Sequence, residues 1–254
     1  MPFEVLPVLE AMSALYEKPR DRARFDAYLA LLNGNTQADL AVPVMHYNPM
    51  AKQPLVAKLH ELMSLGAEAI AAETLQKLNA AGAAADEPIF QVALNLADDL
   101  QGGWTNRYTT DYANKFQLRP LLQRRFCTPV FWASEAYTAD LVRRRTLAQA
   151  WRTRYQARHP RLKTVAEHLA QEQFVTEQLG LAEPMPASDM RNMLARYDLV
   201  RDATDSATLL TFLYGDEAAA QLGHPAWGAW PRGGGFRLAR ALAAQGRGAG
   251  RNIV

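Results

Sequence analysis

From Pro88 to Gly102 the chain reads PIFQVALNLADDLQG, an apolar run that stops abruptly at two adjacent carboxylates. Stepped at about 100° per residue, Ile89, Phe90, Val92, Ala93, Leu94, Leu96, Ala97 and Leu100 cover well over half of a helical circumference. Gln91, Asn95, Asp98 and Asp99 keep a narrow polar strip. The pattern predicts a helix over 88–101, buried on most sides, which strongly limits how the rest of the chain packs. Its last turn would set Asp98 and Asp99 against the negative end of the helix dipole, at ~0.3 to 1 kcal/mol each unless compensated. A cation or a ligand is therefore expected beside them.

The segment that follows, WTNRYTTDYANKF, is rich in hydrogen-bonding and aromatic side chains. As a helix it would stack Trp104, Tyr108 and Tyr112 four apart, with Arg107 and Asp111 paired at the same spacing and Asn106 nearby. As a strand it would put Trp104, Asn106 and Tyr108 on one face. Gly102-Gly103 allows close backbone approach to a ligand and frees N–H groups for an anion at a helix start, or it simply turns a tight corner.

Elsewhere Ala, Leu, Gln, Glu and Arg dominate, and alternating β-branched patterns are scarce. The expected fold is mainly α, a compact multi-helix bundle with several Pro/Gly-rich loops. Helical periodicity begins at Phe3, Val5, Leu6, Leu9, Met12 and Leu15, and further helices are expected at 21–32, 54–79, 134–157, 162–179 and 188–200, with another opened by Asp205. AVPVMHYNPMAKQP is a proline-rich loop, and within it HYNPM, with His46, is a candidate pocket lining. A chain of 254 residues suits a single domain, with 224–254 as a loosely docked, Gly- and Arg-rich aromatic tail.

Charge is uneven although the net is only +2. Residues 119–161 hold ten arginines against Glu135 and Asp140, while 61–100 hold seven acids against Lys77, so the two regions are expected to attract one another. Arg144 falls within the apolar stripe Tyr137, Leu141, Ala148, Trp151 and Tyr155. A cation there needs a carboxylate, a bound anion or a route to water; Asp98, Asp99 and Asp111 are its expected partners. The interleaved cations and aromatics also suit phosphate contacts. The arginines surround the helix instead of forming one stripe, however, and no nucleic-acid-binding signature is present, so nucleic acid is disfavoured.

The single cysteine, Cys127, excludes an intrachain disulfide and suits a reducing compartment, so a cytoplasmic location is expected. No secretory leader or membrane span is expected. His168 and Glu172 share the i,i+4 spacing but no HExxH pattern surrounds them, and no metal or cofactor is indicated. Arg124 and Arg125 stand just upstream of Cys127, where they would lower its pKa if it were exposed, but a buried, inert thiol is the favoured reading. Two functions are consistent with these features. The first is a small polar or anionic ligand held in a cleft beside 98–112 by Asp98, Asp99, Trp104, Asn106, Arg107, Tyr108, Asp111, Arg144 and His46, with chemistry left open. The second is an interaction module, a homodimer or polyanion binder, that uses the Arg-rich helix 134–158 and the tail.

Overall fold

Residues 90–97 of the apolar run are extended, not helical. In the computed structural model, which describes residues 1–34, 40–81, 87–100 and 105–249, they form two short strands separated by Ala93-Leu94, β2 (Phe90–Val92) and β3 (Asn95–Ala97). The reason is burial on both faces: every residue from Val92 to Asp98 is buried. A strand inside a parallel sheet is apolar all round, as a buried helix is, and periodicity alone does not separate the two.

The described residues are nevertheless mainly α, 60% helix against 6% strand. The chain divides into two compact units, Met1–Thr153 and Arg154–Val254. The first begins with β1 (Phe3–Val5), where a helix was expected, followed by α1 (Leu9–Glu17) and α2 (Arg22–Asn33). The helix expected over 54–79 is two, α3 (Gln53–Ser64) and α4 (Ala67–Ala80), with Gly66 between them in the left-handed conformation at φ 69°. After β2 and β3 come α5 (Arg107–Phe116), α6 (Arg119–Gln123), β4 (Phe126–Cys127), β5 (Val130–Trp132) and α7 (Ala139–Arg158), whose last turn belongs to the second unit.

Among the described residues all strand pairs are parallel, in the orders β1-β2-β4 and β3-β5. Main-chain bonds bridge the break between the sheets: Ala93 N–H donates to Cys127 O at 3.1 Å and Asn95 N–H to Pro129 O at 2.9 Å. The segments 90–97 and 126–132 therefore run side by side as one interrupted ladder. Parallel neighbours require crossovers; α1 to α4 provide one and α5 with α6 the other. The main core of this unit gathers Met12, Leu59, Leu62, Leu94, Leu96 and Phe131 between the helices and the strands. Both chain crossings thus deliver β3 and β5 side by side, ending at the same level.

The second unit contains α8 (Val165–Leu179), α9 (Ala187–Val200), α10 (Ser206–Tyr214), α11 (Asp216–Gln221) and α12 (Gly234–Ala249). A capping box starts α8, Thr164 accepting from Glu167 N–H while Glu167 accepts from Thr164 N–H. Asp205 caps α10, as its position suggests. In the tail, Asp216 accepts from Trp227 N–H at 2.8 Å and Trp230 N–H at 3.0 Å, the Trp230 indole donates to Phe212 O, and α12 packs along α8.

Candidate functional site

Side chains of four elements meet where β3 and β5 end. Asp98 and Asp99 follow β3, and Ser134 and Glu135 follow β5 one residue beyond Ala133, whose N–H still bonds Ala97 O at 3.0 Å. The Asp99 carboxylate, 5% exposed, accepts from Ser134 N–H at 3.0 Å, Ser134 Oγ at 2.7 Å and Arg107 at 2.8 Å. Arg107 stands at the first turn of α5, stacks on Trp132 at 5.1 Å and donates again to Glu135 at 2.7 Å. Glu135 also takes Arg145 of α7 at 2.6 Å, and Arg145 reaches Val130 O at 3.1 Å over the Phe131 ring. Two arginines and two carboxylates thus neutralise one another, and the cation expected near the acidic pair is Arg107.

Asp98 is different. It is 8% exposed, no cation pairs with it among the described residues, and its carboxylate receives one long bond, from Asn48 Nδ2 at 3.3 Å. Asn48 belongs to the proline-rich loop, which is tied down by tyrosine hydroxyls: Tyr16 donates to Asn48 O, Tyr28 to Val44 O and Tyr47 to Leu94 O. Asn95 on β3 completes the anchoring, with Nδ2 donating to Pro43 O at 2.8 Å and Oδ1 accepting from His46 N–H at 3.2 Å. The loop is a fixed wall for this reason and not a flexible linker.

His46 on that wall has its pKa driven down to about 4 by burial, against which a side-chain hydrogen bond with Asn114 works only in part. The imidazole is therefore neutral at pH 7. Asn114 of α5 is itself fixed, its Oδ1 accepting from Thr128 at 3.0 Å and its O from Gln149 at 2.8 Å. Beyond the carboxyl ends of β3 and β5, the place where ligands bind in open α/β sheets, the protein thus offers the buried Asp98 carboxylate and the Asn48 amide, whereas His46 and Asn114 meet beside Asn95 and Thr128, at the amino ends of the same strands.

The remaining candidates divide as follows. Asn106 caps α5, its Oδ1 accepting from Thr109 N–H at 3.1 Å. Tyr108 is buried on α5, and Asp111 pairs with Lys115 rather than with Arg107. Trp104 and Gly102-Gly103 lie outside the described residues. Arg144 does not meet Asp98, Asp99 or Asp111: its side chain is 54% exposed and pairs with Asp140 at 2.9 Å. The neighbouring Arg145 is the arginine that turns inward. α7 starts at Ala139 instead of Ser134, because Ser134 is engaged by Asp99 and not by a helix end. Sequence reasoning missed Ser134, Glu135, Arg145, Asn48 and Asn114; their only signal was polarity after apolar strands and within a proline-rich loop.

The other chemical candidates are structural. His168 is buried with Nδ1 on Thr164 O at 2.7 Å. No group of three metal-binding side chains occurs among the described residues, and no helix there is long and apolar enough to cross a membrane. No protein-family model matches the chain, and no curated protein or solved structure matches it significantly.

Proposed function

We propose that the protein binds a small polar molecule beyond the carboxyl ends of β3 and β5, beside residues 98–112, with Asp98 accepting from a hydroxyl or amine of that molecule. The observation that carries this reading is the contrast between the adjacent acids. Asp99 has three donors, one of them the cation Arg107, whereas Asp98 is as sequestered with one weak donor among the described residues. Burying a charge without a partner is costly, and a bound donor removes that cost. Asn48 presents a further polar group from the loop, while Arg107 and Asp99 hold the frame.

Thermal-shift measurements with butylamine, ethanolamine and glycerol test it. At least one is expected to raise the Tm of the wild type and to lose that effect in Asp98→Asn, whose unliganded Tm stays near that of the wild type. Equal stabilisation of both proteins would discard the reading.

A second reading, polyanion binding, is favoured by one feature. An open cleft of about 510 Å³ in the second unit is lined by Tyr155, Arg158, His159 and Arg161. Neither arginine has an ion pair among the described residues. Heparin retention that falls with salt and is lost in Arg158→Glu/Arg161→Glu is the expected result; salt-insensitive passage through the column would dismiss it.

A further inference from the structure

A second buried charge has no ion-pair partner among the described residues. Arg24, on the first turn of α2, is 2% exposed, and its Nε and one terminal nitrogen, NH2, have no hydrogen-bond acceptor. Of the two acids nearest in sequence, Asp26 pairs with Arg22 at 2.7 Å and Asp21 caps α2 by accepting from Arg24 N–H at 3.2 Å. The guanidinium rests instead on the face of Tyr16, 4.7 Å from the ring centroid. Arg20 brings a like charge near it and gives its own Nε to Met50 O.

Tyr16 connects the two orphan charges. Its hydroxyl donates to Asn48 O at 2.9 Å, and Asn48 Nδ2 donates to Asp98 at 3.3 Å. Burial raises the Tyr16 pKa most; Arg24 pulls it down and Asp98 pushes it up, so both charges act on the same phenol. Yet Arg24 and Asp98 form no ion pair with each other. The fold ties the guanidinium to the ring of Tyr16 and the carboxylate, through Asn48, to its hydroxyl, each short of partners among the described residues. A simple anion would leave Asp98 unmatched, and a simple cation would leave Arg24 unmatched. A molecule carrying both charges satisfies the two together.

Resting on the Asp98 reading above, we propose that the ligand is a small amino-acid-like zwitterion, its ammonium on Asp98 and its carboxylate on Arg24, with Tyr16 and Asn48 between them.

The test is calorimetric titration, at neutral pH, of glycine, β-alanine, γ-aminobutyrate and 6-aminohexanoate, with butylamine and butyrate as single-charge controls. One zwitterion of matching length is expected to bind at least about tenfold more tightly than either control, the gain of one added charge-assisted contact. Arg24→Met is expected to reduce that zwitterion to the level of butylamine and leave butylamine itself unchanged, and Arg24→Lys to restore part of the difference. Circular dichroism reports whether each variant is folded, and the wild-type comparison decides the matter even where a variant is not. If butylamine binds as tightly as every zwitterion, with dependence on Asp98 but not on Arg24, the zwitterion is overturned and the Asp98 reading stands. If butyrate binds as well as the zwitterions and Asp98→Asn changes nothing, or if none of the six compounds binds, both are overturned.

Discussion

Ser134 locks the end of β5 to the end of β3 by giving Asp99 two donors, its N–H at 3.0 Å and its Oγ at 2.7 Å. The carboxylate is then held from a third direction by Arg107 at 2.8 Å, so one acid ties two strands and α5. Asp99→Ala is expected to cost about 2–4 kcal/mol of unfolding free energy, since it strips three donors of their acceptor in a nearly buried place. Arg107→Ala costs less, because its side chain is 36% exposed and Asp99 keeps Ser134. In a double-mutant cycle by urea unfolding the two should couple by about 0.5–3 kcal/mol. Strict additivity would show that the pair is only a surface contact.

His46 makes stability pH-dependent. The unfolded chain takes up a proton near pH 6.5, whereas burial keeps the folded imidazole neutral down to about pH 4. Between those values the unfolded state binds more protons, so stability falls as the pH falls, by up to about 3 kcal/mol in total. Above pH 6.5 this residue contributes no slope. His46→Gln is expected to flatten the decline between pH 6.5 and 4 in urea titrations; an unchanged slope would place the sensitivity elsewhere.

The sites of the acidic pair and of Arg107 were legible in the sequence because carboxylates directly after an apolar run need compensation whatever the run's conformation. The conformation itself was not. Ala93, Leu94, Leu96 and Ala97 are good helix formers, and only their pairing with 127–133, some thirty residues away, makes them extended. The same non-local pairing brings Ser134 and Glu135 beside Asp99, so those partners could not be read from local spacing. Arg144 and Arg145 illustrate a finer limit. Adjacent residues on a helix differ by about 100°, and the buried face of α7 follows Val142, Thr146, Gln149 and Thr153 instead of the stripe of Leu141, Ala148 and Tyr155, which gives the inward role to the second. Asp205 and the proline-rich loop at 41–54 were readable because capping and turn chemistry are local.

Cys127 should be chemically silent in the native protein. Burial pushes its thiol up to about 12, despite a hydrogen bond with Thr153 and the charge of Arg152, both of which work in the opposite direction. The thiolate is the reactive species, so an aromatic disulfide reagent at pH 8 should leave the native chain unlabelled and label the urea-unfolded chain rapidly. Fast native labelling would mean that β4 opens readily.

Gly215 joins α10 to α11 with φ at 98°, and a Cβ there would meet Pro231 O at 2.5 Å and the Arg232 backbone within 2.9 Å. Those contacts are main chain, which has little freedom to yield because Gly233 N–H is bonded to Tyr214 O at 3.0 Å and Asp216 holds Trp230 N–H. Gly66 is in the left-handed helical region, φ 69° and ψ 38°, with nothing within 4 Å of the added atom, whereas Gly215, with ψ at 175°, occupies a region essentially reserved for glycine. Gly215 therefore adds both a harsher backbone strain and a collision to what Gly66 would lose. Gly66→Ala should lose only the conformational preference, about 1 kcal/mol. Gly215→Ala should lose that and the packing of 230–233 as well, about 3 kcal/mol or more. It should also redden the tryptophan emission as Trp230 leaves its buried position beside Phe212. Equal losses in thermal unfolding, with unchanged emission, would show that the 230–233 backbone moves aside freely and that the tail is not fixed through this glycine.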